Sequence, residues 1–589
     1  MSKTKKTAKA LALAAALTAV GATASAQTKD TNVYNEKVVV VGSFNPVLQN
    51  ADKLNIAPSI NDTATMTPEY NYSITSQRIY SLYMPESIKA ARIKGEPTSR
   101  LYHNYIKLGF GNYCTPYADI YYNSTRSKDL NYGARVYHQS SWWTLKDYGK
   151  NHSSNTEVDI FGKKIWAKNS LAANIFYTHD YNLYYGFTDS LWRTFVPDAD
   201  PQKPDYSQYY NTVGLKADFR STNIDYHKLN YQANMLLINQ HDKYGSNELR
   251  FAVDADAHYG FAFWGTEKQI VGLTLQIGHY RNSGDSTLLP MQAIDTLINP
   301  NAPQPNYVGN TTIIAAQPYF LFKAFGFKMN IGLKFAWANE NGFRLFPNIS
   351  ASQTLFNDIL HLTVGVNGDY IHNSWHALRT ENPFVGPRCE TENTSFNKLF
   401  AEAKFNFTKK FNAYAGVSYT LYKKMPFFMI DTLYNLNNVY KTFYTDANVL
   451  NITAGAAYHL DERFSFGLKG SIYSYTMKDD AYEHPLYKPS WDAYIYATYN
   501  HNNKFYARME TGLIGKMHGL NRVGDKLEDE ELTMKYGIHL DAEYRFTKAL
   551  SVFADLDNIA YQRYYFWTNY PSKRIQFLLG LTYTIPVKR

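Results

Sequence analysis

Asp557–Arg589 reads DNIAYQRYYFWTNYPSKRIQFLLGLTYTIPVKR, and its second half decides the fold. Ile575, Phe577, Leu579, Leu581, Tyr583 and Ile585 occupy every second position, with Gln576, Gly580, Thr582 and Thr584 between them. Leu578 departs from the alternation. A period of two places the apolar side chains on one face of a strand, and that face must meet something apolar. In a chain that opens with an export signal, lipid is the leading candidate. The aromatic run Tyr561–Trp567 reads as the preceding strand of a hairpin, with Thr568–Lys573 as its outer loop.

The export signal is residues 1–26. Lys3, Lys5, Lys6 and Lys9 precede a short apolar core, Ala10–Val20, and Ala24-Ser25-Ala26 is a small-residue cleavage site that leaves Gln27 first. Removing four lysines from a formal charge of +9 leaves 9 − 4 = +5. So mild a charge on so long a chain gives no nucleic-acid footprint. No apolar run after residue 26 approaches the ~18 residues of a membrane helix. Aromatics make up 16% of the chain, 51 of them Tyr, yet mean hydropathy is −0.42. A transmembrane β-barrel reconciles these values. Tyr and Trp gather at its two lipid–water interfaces, and its polar lumen lowers the average hydropathy.

Residues 27–100 are irregular, with Pro46, Pro58, Pro68, Pro85 and Pro97 interrupting any long element. They read as a periplasmic or lumenal extension with one short apolar strand, Val38, Val39, Val40 and Val41. From about Leu101 to Arg589 the pattern changes to alternating segments separated by turn residues. In Tyr536–Phe546, Tyr536, Ile538, Leu540, Ala542, Tyr544 and Phe546 face one way, and His539, Asp541, Glu543 and Arg545 the other. Counting such segments predicts an all-β fold, an antiparallel transmembrane barrel of about 22 strands. Its connections sort by parity. One set is tight, including Ser127–Asp129, Asn169-Ser170, Gly326, Asn357-Asp358, Lys409-Lys410, Asp461-Glu462, Asn502-Asn503 and Thr547-Lys548. The other holds every long connection: Trp143–Thr156, Phe187–Gln208, Ser283–Gly309, His376–Asn393, Met425–Asp446, Lys478–Ser490 and His518–Met534. Both termini then lie on the periplasmic side of an outer membrane, and the last strand pairs with the first, near Leu101.

The polar strand faces carry Lys216, Asp218, Arg220, Asp254, Asp256, Glu402, Lys404, Asp541, Glu543 and Arg545. In lipid each would cost several kcal/mol, on the order of 2–4 at mid-depth for a basic side chain, so these charges are expected to line the lumen, chiefly as cross-strand ion pairs. His372 and His376 have metal-ligand spacing only on a helix, and no carboxylate or third His follows them nearby. Asp479–His484 and Glu528–Glu531 read as solvated acidic loop tips. Cys114 and Cys389 are too few for a disulfide scaffold but form a candidate clip between surface loops. Phosphate loops, dinucleotide glycine motifs, CxxC, HExxH and GxSxG are all missing from the sequence. No enzyme, cofactor or metal site is expected.

Asp557-Asn558, the aromatic run, Tyr570-Pro571, Arg574 and Gly580 resemble the C-terminal pattern of TonB-dependent receptors. Glu36–Gly42 is similar to the segment where receptors of the Bacteroidota type begin their TonB-contacting box. Ser572-Lys573-Arg574 stands where the family has Pro-Gly-Arg, and Ile559-Ala560 follows Asn558 where it has Leu-Phe. About 22 strands is also that family's barrel size. The family's folded plug is longer than the 100 − 26 = 74 residues between signal and barrel here. The resemblance therefore implies a receptor-type barrel with a truncated or missing plug. The lumen would be closed by the N-terminal extension, by inward-folded loops, or by a plug-supplying periplasmic partner. The function implied is transport of a nutrient or polymer across the outer membrane, in contact with its lipid. The alternative is a non-transporting subunit or scaffold of an outer-membrane complex. The sequence names no substrate.

Overall fold

The alternating C-terminal strand, Gln576–Tyr583, closes a barrel. It pairs on one side with Leu550–Asp557 and on the other with the first strand, Asn104–Gly111. Ile106 opposes Tyr583 and Gly111 opposes Leu578 across the seam. All 22 wall strands join one antiparallel sheet, so the wall has no free edge. The computed structural model describes residues 101–585 except 126, 149, 196–205, 223–226, 263–268, 285–308, 387–388, 433, 435, 480–482 and 524–525. The signal, the extension 27–100 and the segment Val38–Val41 lie outside these residues.

The outer surface is apolar. Leu108, Phe110, Ile120, Val213, Leu399, Leu468, Leu579 and Leu581 are exposed, while their strand neighbours point into the lumen. Exposure of so much hydrocarbon is stable only in lipid, at roughly 25 cal/mol per Å². Aromatics mark both edges of the belt. Phe325, Phe356, Phe407 and Phe546 are exposed beside the tight turns, and Trp142, Trp337 and Phe343 near the opposite end. Among the described residues no helix is long and apolar enough to cross a membrane, so the strands do the crossing.

Two glycines make the seam possible. Gly109 and Gly580 oppose each other there. A Cβ on Gly580 would lie 2.1 Å from the Leu108 carbonyl oxygen and 2.4 Å from the Phe553 ring. Without it, Phe553 lies against the seam from the lumen side, and Lys107 Nζ sits 4.0 Å from its ring centroid.

Most of the tight turns fall where expected. Phe325-Gly326, Phe356–Asp358 and Asn502-Asn503 take positive φ, the mirror-image geometry that matches strand twist. The outer connections differ from expectation in extent. Leu130–Thr144 and Lys150–Ile165 leave only residues 145–149 between them, so the connection expected over Trp143–Thr156 is largely strand. Asn169-Ser170 likewise begin a strand, and the turn is 166–168. Phe411–Ile430 and Tyr440–His459 have 20 residues each, against about 9–11 needed to cross a bilayer, so they rise well above it. The aromatic run is not a wall strand. The wall strand is Leu550–Asp557, and the run belongs to the outer loop, where Tyr565–Trp567 pairs with Tyr570-Pro571.

Candidate functional site

Most of the charges on the polar strand faces are paired. Arg508 Nε lies 2.9 Å from Glu510 and its Nη2 3.2 Å from Asp541. His539 faces Asp541 at 3.2 Å, Asp555 at 3.6 Å and Asp557 at 3.8 Å. Arg545 contacts Glu543 at 3.3 Å and Arg220 contacts Asp218 at 2.6 Å. Asp256 contacts His258 at 2.9 Å and accepts from the Tyr319 hydroxyl at 3.0 Å. Lys216 packs over the Phe176 ring, and Asp254 is buried near the Lys334–Asp369 pair. One stretch of wall is differently built. Four consecutive strands between Asn393 and Met477 frame a cavity of about 330 Å³ lined by Lys398, Lys404, Lys469, Phe400, Tyr414 and Glu402. Three lysines face one glutamate there, so positive charge is in excess, and the Glu402–Lys404 pair is loose, at 4.0 Å.

Above the lumen the outer loops meet in an apolar core. Leu183, Tyr185, Trp375, Leu378, Val385, Phe428, Ile430, Tyr440, Leu486, Tyr487, Met517, Leu532 and Tyr570 pack together there. They come from connections on opposite sides of the barrel, so the core spans its mouth. Tyr570 is its hub. Its ring stacks on Phe384 with centroids 3.4 Å apart, and its hydroxyl donates to the Asn438 carbonyl. The Tyr440 hydroxyl donates to Thr568 O at 2.7 Å, and Tyr185 donates to Pro571 O at 3.1 Å. Asn438 donates to Tyr184 O at 2.6 Å, and Tyr184 to Val385 O at 3.0 Å. Asn558, buried in a left-handed conformation, braces the last loop by donating to Gln562 O and Lys573 O. The receptor-like Tyr-Pro motif thus closes the mouth.

A short helix, Trp375–Glu381, ties that core to the wall. Ser374 caps it, accepting from the Ala377 N–H at 3.3 Å. Glu248, fully buried on the wall, lies under its first turn and accepts from the His376 N–H at 3.4 Å, where the helix dipole favours an anion. Arg379 reaches three other strands. It donates to Gln240 at 2.6 Å, Asp180 at 2.9 Å and Thr212 at 3.1 Å, and lies over the Tyr210 ring. Burial, with Arg379, Arg250 and Lys216 nearby, lowers the His376 pKa to about 3, so the ring is neutral and bonded to Gln240.

His372 and His376 do not converge on a metal. His372 bonds Asn393 at 2.8 Å on the wall, while His376 turns to Gln240. Cys114 and Cys389 are both free thiols, so the candidate clip between them is not formed. Cys114 is exposed in the turn after the first strand, and Cys389 is buried in the mouth core, where burial raises its pKa. The mouth itself was missed by sequence reading, apart from the general option of inward-folded loops. The Ser374 cap was the one local signal for the helix.

These features define a closed 22-strand transmembrane β-barrel whose outer loops pack over its mouth. No protein-family model matches the sequence, and no curated protein matches it. Solved structures do match. The siderophore receptor PirA from Acinetobacter baumannii aligns with a TM-score of 0.61 at 10% identity, over 83% of this chain and 81% of that one. The ferric-catecholate import receptor Fiu from E. coli K12 gives 0.59 at 11% identity, over 82% of each chain. The ferripyoverdine receptor of the outer membrane of Pseudomonas aeruginosa gives 0.59 at 12%, over 83% and 72%. The shared feature is the fold, which matches the receptor resemblance read from the C-terminal stretch.

Proposed function

We propose that this protein is an outer-membrane transport barrel that passes a nutrient or polymer inward, with a preference for anionic solutes. The observation that carries the reading is the lysine-lined cavity on the wall beneath a mouth where, among the described residues, outer loops pack together. Loose lysines in a wet cavity attract anions and focus them there. The import and siderophore receptors that share the fold support capture of a solute from outside. The lower end of the lumen would be served by a periplasmic or plug-supplying partner. Purified protein in planar bilayers tests the proposal. Conductance or solute binding should favour anions, and Lys398→Gln, Lys404→Gln and Lys469→Gln combined should remove that preference. A barrel that neither conducts nor binds solute, even with its mouth loosened, would overturn the reading.

The packed mouth favours a second reading, a non-transporting subunit of an outer-membrane complex. Purification in mild detergent separates the two. A stoichiometric partner with no conductance supports the scaffold, and a lone conducting species removes it.

A further inference from the structure

We propose that His484, His518 and Asp529 form a binding site for a divalent first-row transition-metal ion, Zn²⁺ foremost, on the outer loops of the mouth. The sequence places these residues in two separate acidic loop patches and a lone His. The fold brings them together. His518 stands on Met517–Val523 and Asp529 on the paired strand Lys526–Leu532, in a hairpin where His518 opposes Glu531 and Leu520 opposes Asp529. His518 and Asp529 therefore share a face, and Nδ1 lies 3.0 Å from the carboxylate. His484 arrives from the neighbouring loop. A bridge between Leu486 and His518 fixes that loop, as does the Tyr487 N–H, which donates to His518 O at 2.7 Å.

The two imidazoles stack with centroids 3.9 Å apart and planes 26° apart. One ligand atom from each of the three residues falls within 4.8 Å of the others. Metal–ligand bonds of about 2.0–2.2 Å require these atoms to draw together by roughly 1 Å, within reach of a rotamer adjustment. Two imidazoles and one carboxylate suit Zn²⁺, Ni²⁺ or Cu²⁺, whereas Mg²⁺ and Ca²⁺ take oxygen sets. Three protein ligands leave a fourth position for water or for a donor atom on an arriving solute. The bound ion would pin the loop carrying Leu486 and Tyr487 to the hairpin carrying Met517 and Leu532, and all four belong to the mouth core. The site stands whether or not the barrel transports.

The full protein in detergent, stripped with chelator and dialysed against Zn²⁺, should retain one ion per chain by mass spectrometry. His484→Ala with His518→Ala should weaken binding at least tenfold, with heat-shifted gel mobility confirming a folded barrel. His539→Ala addresses the competing cluster of His539, Asp541 and Asp555 on the lumen wall and should leave binding intact. Ca²⁺ in excess should not displace the ion. The proposal is overturned by a wild-type protein that holds no ion, by a double variant with unchanged affinity, by loss in His539→Ala instead, or by equal competition from Ca²⁺.

Discussion

The two halves of Asp557–Arg589 are built by different rules. Gln576–Tyr583 becomes wall, with Leu579, Leu581 and Tyr583 exposed toward lipid and Thr582 buried toward the lumen. Residues 558–575 become mouth, where Tyr570, Pro571 and Thr568 are buried among loops from the far side of the barrel. The wall meets a uniform solvent, so a period of two suffices to specify it. The mouth meets other side chains, each in its own place, and no period describes it. A fault in the wall should therefore damage assembly as a whole, and a fault in the mouth should change only its closure.

The sharpest break of this contrast is Gly580→Leu. Its Cβ would fall 2.1 Å from the Leu108 carbonyl oxygen, so the first and last strands cannot pair. The expected outcome is no folded barrel, read as loss of heat-dependent gel mobility, against normal folding for Gly342→Ala. That control sits at an outer strand start with nothing near its Cβ position, though its φ of +71° adds modest strain. Tyr570→Ala should do the opposite. The barrel should assemble, but the mouth core loses its hub at roughly 3–5 kcal/mol, the usual range for truncating a buried aromatic. The reading is a rise in single-channel conductance or in solute access to the lumen. Unchanged conductance would mean that the mouth is held shut elsewhere.

What the sequence made legible follows the same division. Strand number and barrel closure were readable, because each wall strand repeats one local rule. The start of Lys150–Ile165 escaped because Asn151–Thr156 are polar on both faces, as strands above the bilayer are free to be. Tyr561–Trp567 misled for the converse reason. Aromatic density marks a membrane girdle and a packed loop core alike, and only the fold separates them. The junction of Arg379 with Asp180, Thr212 and Gln240 spans sequence separations of 199, 167 and 139 residues, and no local pattern encodes it.

That junction joins mouth to wall, and its loss should fall between the two cases above. Arg379→Ala leaves Gln240 and the Asp180 carboxylate without their buried partner. Breaking such a pair costs about 3 kcal/mol, the lower end of the range because Asp180 is partly exposed. Helix Trp375–Glu381 should undock while the wall persists. Hydrogen exchange should then show lost protection at 377–382 and unchanged protection in Leu360–His372.

The smallest effect concerns His376 in the same helix. Docked, its pKa is about 3, while a free histidine titrates near 6.5. Above pH 6.5 the ring is neutral in both states, and docking has its full strength. Between 6.5 and 3 the undocked ring takes a proton that the docked ring refuses, so docking weakens as pH falls, by about 1.4 kcal/mol per unit. Glu248 titrates beside the helix, so the measurement is made in Glu248→Gln, which keeps an oxygen for the His376 N–H. Protection of 377–382, corrected for intrinsic exchange, should fall about tenfold between pH 6 and 5. His376→Gln in that background should flatten the response. A slope that survives His376→Gln would place the acid sensitivity in the wall.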